Sequence, residues 1–279
     1  MNHEAAQAGA LPAMTMTDSD FERLTNFIHS KYGINLRHKR QLIISRLAFT
    51  LRSQGFQDFG EYVNYLLTKG QNDDVNLLLS KLTTNYTYFM REPEAFDFFK
   101  SSILPDVVNR HQRDSNLAIW SAGCSSGEEP YNISMYLLDH LGSRASGWDT
   151  RVLATDLSTN ALSKAQAGIY ELPDTIPQHW KREYFVPETD GRFAVAPRIK
   201  NNVIFRQFNL MDPIQFKRKF DVIFCRNVMI YFDQPTKNAL VRRFYDATAP
   251  GGYLIISLSE SLSPDTPYHR VATSIFQKK

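Results

Sequence analysis

Four groups of polar residues in this 279-residue chain each follow an apolar run, and their types limit the chemistry available. The first is Ser121-Ala-Gly-Cys-Ser-Ser-Gly-Glu-Glu-Pro130, entered from Leu117-Ala-Ile-Trp120 and left along a helical pattern from Tyr131 to Leu141. The second is Asp156, after Thr150-Arg-Val-Leu-Ala-Thr155; the third is Asn209, after the run 203–208; the fourth is Arg226-Asn227, after the run 220–225. Gly123 and Gly127 tolerate backbone angles that other residues resist, and they read as leaving room for a ligand against the main chain. Their G-x-x-x-G spacing is neither a dinucleotide fingerprint nor a P-loop. Glu128 and Glu129 suit a helix start but would repel a pyrophosphate placed there. A ligand with hydroxyls and a positive charge fits better, and S-adenosylmethionine, with its ribose, amino group and sulfonium, is of that kind. The plain alternative is an ordinary strand-to-helix turn with a capped helix. Asp156 can accept hydrogen bonds from both hydroxyls of a ribose, a feature that dehydrogenases share. Ligands of open α/β sheets bind along the edge where all four groups would lie.

The elements that must position these groups alternate from residue 117 onward. Strands are expected at 117–120, 150–155, 203–208, 220–225 and 253–257, with a last one near 272–276. Helices are expected at 131–141, 160–167 and 234–249. Residues 173–200 break the rhythm: short alternating runs around Glu188-Thr-Asp-Gly191 predict an inserted antiparallel hairpin, with Arg192, Arg198 and Lys200 making it basic. Upstream, only helices are signalled. Ser19-x-x-Glu22 reads as a capping box and Gly33 as a stop; Phe21, Leu24, Phe27 and Ile28 recur at helical spacing. A second helix is expected from about 37 to 53 with Ile43, Ile44, Leu47 and Leu51 inward. A third starts at Asp58-x-x-Glu61 and ends near Gly70. A fourth carries Val75, Leu78, Leu79 and Leu82. The expected organisation is a loose tail over 1–17, a small all-α bundle over 18–90, and an α/β domain over 91–279 with its insert at about 173–200. Between bundle and sheet, Asn85, Thr87 and Arg91 stand among aromatics, ahead of a helix expected at 94–109; capping accounts for the first two better than for Arg91.

Bulk properties narrow the class. Apolar residues make up 43% of the chain, enough for a core, and no run approaches the roughly 20 residues of a membrane span. Two cysteines, Cys124 and Cys225, form no metal or disulfide framework and suit a cytosolic setting. The net charge of +3 is too small to argue for nucleic acid. It is unevenly spread: Arg37, Lys39, Arg40, Arg46 and Arg52 lie in an interval without acidic residues, which reads as a solvated face or as a docking surface for an acidic partner. That interval is read as lacking the interleaved aromatics on which single-stranded nucleic acid stacks.

With these residues in view, the chain closely resembles the CheR-type chemoreceptor glutamate methyltransferases. The matching blocks are T-T-N-Y-T-Y-F-M-R-E at 83–92, S-A-G-C-S-S-G-E-E-P-Y at 121–131, A-T-D at 154–156, Asn209-Leu210, and F-D-V-I-F-C-R-N-V-M-I-Y-F at 220–232. The resemblance implies a Rossmann-like S-adenosylmethionine-dependent methyltransferase sheet behind the helical bundle. It implies methyl transfer to glutamates on cytoplasmic chemoreceptor helices, giving γ-methyl esters and S-adenosylhomocysteine. It implies a cofactor pocket of Asn85, Thr87, Arg91, Gly123, Glu129, Asp156, Asn209, Leu210, Arg226 and Asn227. Arg91 and Tyr231 would lie nearest the reacting groups. The receptor-docking set would be Arg37, Lys39, Arg40, Arg46 and Arg52, with Arg192 and Arg198 of the insert. A monomeric, cytoplasmic enzyme recruited to membrane-bound receptor arrays is expected, with no metal, no nucleic acid and no membrane insertion. Two departures stand out. Leu258 occupies a position where the family often has histidine, and the insert lacks the extra glycines of members that bind a receptor's C-terminal pentapeptide, so tether independence is expected. The rival readings are a methyltransferase for RNA or a small molecule, and a non-catalytic cofactor-binding signalling module.

Overall fold

The computed structural model describes residues 14–83 and 86–279. The chain forms two compact units: residues up to Ser30 with Leu36–Leu82, and Lys31–Asn35 with Thr83–Lys279. The expected 1–17 tail falls largely outside the described residues, as does Asn85.

The first unit is built from α1 (Asp18–Tyr32), α2 (Arg40–Ser53), α3 (Phe59–Thr68) and α4 (Asn72–Leu82). Its core takes Leu24 and Ile28 from α1, Ile43, Leu47 and Leu51 from α2, and Leu78, Leu79 and Leu82 from α4. The capping box of α1 sits two residues earlier than expected. Thr17 Oγ1 accepts from Asp20 N at 3.1 Å and Thr17 N donates to Asp20 Oδ2 at 3.3 Å, so Thr17-x-x-Asp20 is the box rather than Ser19-x-x-Glu22. Asp58 caps α3 as expected, accepting from Glu61 N at 2.8 Å.

The second unit is an open α/β fold. Its main sheet contains β1 (Ile119–Ala122), β2 (Val152–Asp156), β6 (Val203–Gln207), β7 (Phe220–Phe224), β8 (Thr248–Ile255), β9 (His269–Ala272) and β10 (Ile275–Gln277). The order across the sheet is β6-β2-β1-β7-β8-β10-β9; the first five strands are parallel and β10 runs antiparallel to β8 and β9. Alternation by two feeds both faces. Ile119, Val222, Phe224 and Ile255 enter one buried cluster, while Trp120, Ala122, Ile223, Cys225 and Leu254 enter the other. Both faces are covered by helices, which is why these strands read as apolar runs. Successive strands run outward from β1 through β2 to β6, and β7 then lies on the other side of β1. The sheet therefore reverses direction at β1/β7, where open α/β sheets place their ligands.

Several expected boundaries move for identifiable reasons. β1 begins two residues late and includes Ser121, whose polar oxygen is satisfied by Glu129 at 2.8 Å rather than by a turn. α7 (Glu128–Leu141) starts three residues earlier than expected, on Gly127 at φ 98°. The helix expected at 94–109 is α5 (Pro93–Phe98), a π turn (Phe99–Ile103) and α6 (Leu104–Arg110); Pro105 has no N–H to continue the ladder. α11 (Gln234–Ala247) stops at Thr248, and Pro250-Gly-Gly lies inside β8, where the pairing with β7 shifts between Phe220 and Val222. Residues 272–276 are not one strand but the reversal between β9 and β10, with Ser274 at φ 57°. Met229–Tyr231 form a 3₁₀ turn.

The insert is larger than a hairpin. β3 (Ile169–Tyr170), following α8 (Thr159–Ala167), and β4 (Phe185–Pro187) both pair antiparallel with β5 (Phe193–Val195), in the order β3-β5-β4. α9 (Gln178–Tyr184) leads into β4 and α10 (Pro197–Lys200) follows β5.

Candidate functional site

The C-terminal edge of the sheet gathers Glu92, Glu129, Asp156, Arg226, Asn227 and Glu260. Arg226, just past β7, is its hub, with a side chain only 2% exposed. Its Nη1 donates to Glu129 Oε2 at 3.0 Å. Its Nη2 donates to the Arg91 carbonyl and lies 3.3 Å from Glu92 Oε2. The guanidinium carbon sits 5.1 Å from the Phe96 ring centroid, and Nε is buried without a hydrogen-bond partner. A buried cation of this kind is tolerable only because two carboxylates and a carbonyl surround it. Glu129 completes the bridge between strands: its other oxygen accepts from Ser121 Oγ at 2.8 Å.

The backbone is unusual at the same edge. Met90, Glu92, Ser125 and Asn227 all have positive φ, between 49° and 62°, without being glycine. Met90 and Glu92 flank Arg91 and turn that residue out of the regular chain path. Arg91 Nη1 donates to the Tyr86 carbonyl at 2.6 Å, and among the described residues Arg91 makes no ion pair.

Asp156 ends β2 and ties down the glycine turn: Oδ2 accepts from Ser125 N and Oδ1 from Ser158 N, each at 2.8 Å. Burial pushes its carboxyl above the ordinary range, against the pull of those backbone donors. Each oxygen keeps a further lone pair that a hydroxyl can address.

The glycines have another explanation from the one their spacing suggested. A Cβ on Gly123, at φ 87°, would stand 2.3 Å from Val228 Cγ2; one on Gly127 would stand 2.7 Å from the Ala165 Cβ. The chain's own side chains occupy the space a Cβ would take, so these glycines permit close internal approach. Gly123 N and Cys124 N both donate to the Thr155 carbonyl, at 2.7 and 2.9 Å.

Two other expected contacts are taken up by the chain. Asn209 Nδ2 donates to the Lys31 carbonyl at 2.8 Å and Oδ1 accepts from Met211 N at 3.0 Å, so the amide shapes its own loop. Leu210 is buried in the cluster that holds Trp120. Thr87 and Tyr231 are half-buried; the Tyr231 carbonyl accepts from Asn35 N at 2.8 Å. Cys124 and Cys225 are buried, and burial raises both thiols, as packing residues should show.

Two carboxylates escaped the sequence reading. Glu92 Oε1 accepts from Asn227 Nδ2 at 3.2 Å and Oε2 accepts from Leu258 N at 3.0 Å. Glu260 is buried and accepts from the backbone N–H groups of Ser257 (2.9 Å), Asn227 (3.2 Å) and Ile230 (3.2 Å). The spacing Ser257-x-x-Glu260 is a capping-box signal that could have found Glu260. The departure at Leu258 is also clarified, because what that position gives the site is its backbone N–H.

The docking residues are placed unequally. Arg40 pairs with Asp18 and covers the Phe21 ring, and Arg46 donates to the Leu82 carbonyl at 3.0 Å, closing the end of α4. Arg37 and Lys39 are exposed ahead of α2, and Arg52 is half-buried. Phe49, 84% exposed, stands between Arg46 and Arg52, so an aromatic does interleave the basic residues. In the insert, Arg198 pairs with Glu183 at 3.1 Å, and Arg192 approaches Asp190 at 3.9 Å.

The donor set of this edge suits a cofactor with hydroxyls and positive charge. It offers carboxylates at Glu129 and Asp156, and one cation, Arg91, without a carboxylate partner among the described residues. Comparison with known proteins agrees. Residues 85–275 match the family described as CheR methyltransferase, SAM binding domain, and residues 19–83 match CheR methyltransferase, all-alpha domain. A chemotaxis protein methyltransferase of Borreliella burgdorferi is 38% identical over 271 residues, 95% of this chain and 96% of that protein. That of Escherichia coli is 39% identical over 258 residues, 90% and 87% of the two chains. The buried Arg226 bridge and the carboxylate-lined edge thus lie inside a matched S-adenosylmethionine-binding domain, and the chain belongs to the CheR methyltransferase family.

Proposed function

We propose that this chain methylates glutamate side chains on the cytoplasmic helices of bacterial chemoreceptors, forming γ-methyl esters. The observation that carries the reading is Arg91, presented between two left-handed residues and held through its carbonyl by the buried Arg226, in a domain of S-adenosylmethionine-binding type. The relatives named chemotaxis protein methyltransferase support the substrate class.

S-adenosylmethionine, when bound, supplies an electrophilic methyl group on a sulfonium. The substrate glutamate is ionised near neutral pH, so its oxygen takes the methyl without a general base and no proton moves. What the protein contributes is alignment and the exclusion of water. Arg91 orients a carboxylate, the substrate's or the cofactor's own, with its planar fork. Tyr231 walls the site and hydrogen-bonds the substrate. Asp156 holds the ribose hydroxyls. Glu129 takes the amino group while keeping Arg226 in place; Thr87 and Asn227 complete the pocket. Receptor docking falls to Arg37, Lys39, Arg40, Arg46 and Arg52 of the bundle, with Arg192 and Arg198 of the insert. The short Glu188–Arg192 connection supports action without a pentapeptide tether.

The test is a transfer assay with methyl-labelled donor, on receptor membranes and on RNA. Base-labile label released as methanol from receptor is the expected result; label confined to RNA, or none, overturns the reading. Calorimetry with a tether pentapeptide is expected to show no micromolar binding.

A further inference from the structure

We infer that Glu92 is a positioning residue for methyl transfer, acting through Arg91 by tying its own segment to the two strand ends after β7 and β8; this rests on the function proposed above. Glu92 begins α5, yet it makes no side-chain cap to that helix and its φ is 54°. A carboxylate that only capped α5 would accept from the first turn. Instead it reaches away, to Asn227 Nδ2 after β7, Leu258 N after β8 and Arg226 Nη2. Arg226 in turn donates to the Arg91 carbonyl. The neighbour of Arg91 is thus fixed to both strand ends on the far side of the sheet reversal, and Glu260 holds the same two segments from behind through Asn227 N and Ser257 N.

The charge state is part of the device. Two N–H donors, one to each oxygen, and the Arg226 guanidinium converge on the carboxylate, so both oxygens must accept. An amide has one acceptor and would turn an N–H₂ toward either Asn227 or Leu258 and Arg226. Glu92→Gln therefore breaks the clamp with little change in volume.

The experiment uses the full chain. In Glu92→Gln, native-state hydrogen exchange at the Leu258 amide is expected to accelerate about tenfold or more as its acceptor is lost. Affinity for S-adenosylmethionine, read by calorimetry, is expected to stay within about threefold. Single-turnover transfer to receptor glutamate is expected to fall about thirtyfold or more, since small misplacement of an orienting group is costly. Combined with Arg91→Ala, the substitution is expected to add nothing, because it acts through that residue. Glu92→Asp, which keeps the charge but shortens the reach, serves as the second variant should the glutamine form not fold. An unchanged Leu258 amide, a wild-type transfer rate, or multiplicative losses in the double variant overturns the inference. The exchange measurement needs no substrate, so a wild-type chain that labels no receptor would remove the proposed function and leave the clamp readable.

Discussion

The two edges of the main sheet solve the same problem differently. At the N-terminal edge, His111 at the end of α6 lies between Asp221 (Nε2 to Oδ1, 2.8 Å) and Asp114 (Nδ1 to Oδ1, 2.9 Å). The second Asp221 oxygen accepts from Ala118 N at 2.9 Å, and Arg151 pairs with Asp149 through two donors at 2.7 and 2.8 Å. One residue there, Ser115, has positive φ. At the C-terminal edge five non-glycine residues do, Ser274 of the β9–β10 reversal among them, and the hub Arg226 buries an unpartnered Nε. Strained backbone costs of order 1–3 kcal/mol a residue and persists where surroundings over-determine it. One edge is a satisfied structural seam; the other holds strain and desolvated charge around Arg91, as a reaction site does.

The comparison can be broken, starting with the largest effect. Arg91→Ala should lower turnover by orders of magnitude with an unchanged circular dichroism spectrum; near-normal turnover would remove it from the reaction. Arg226→Ala leaves Glu129 and Glu92 facing each other without their cation and should destabilise the fold by about 3–5 kcal/mol in denaturant titration. A loss below about 1 kcal/mol would mean the hub is replaceable. Asp156→Ala should weaken donor binding by about 1.5–3 kcal/mol; unchanged calorimetric affinity would assign the ribose to another group.

The smallest effect belongs to the seam. Burial pulls the His111 pKa down, but the bonds to Asp221 and Asp114 outweigh it and the net shift is upward. A raised folded pKa gives stability that is fully present below the ordinary value and is lost as pH rises through the folded one. His111→Ala should therefore lower Tm more at pH 6 than at pH 8.5, with little change in transfer rate. An equal loss at both values would remove the charge from the seam's role.

Much of this site is legible in the sequence because strand ends and turns carry local signals. Asp156, Glu129 and Arg226-Asn227 stood out as polar groups after apolar runs, and they do meet at one edge. What misled was the assumption that polar means outward. Ser121 looked like the start of a turn but lies in β1, satisfied by Glu129. Gly123 and Gly127 signal backbone freedom, but their closeness to Val228 and Ala165 carries no local signal. Asn209 is expected in the cofactor pocket, and its side-chain amide bonds within the chain, to the Lys31 carbonyl and Met211 N.

The sequence by itself determined the alternation of strands and helices, the all-α front, and the residue types that reach the sheet edge, because each follows from patterns spanning a few neighbours. Only the tertiary structure decided which of those residues face one another. Glu92 meets Leu258 across 166 positions and Arg226 meets Arg91 across 135. No local spacing encodes such partners: they are chosen when the sheet closes and buried charges must find counter-charges or unfold the edge that holds them.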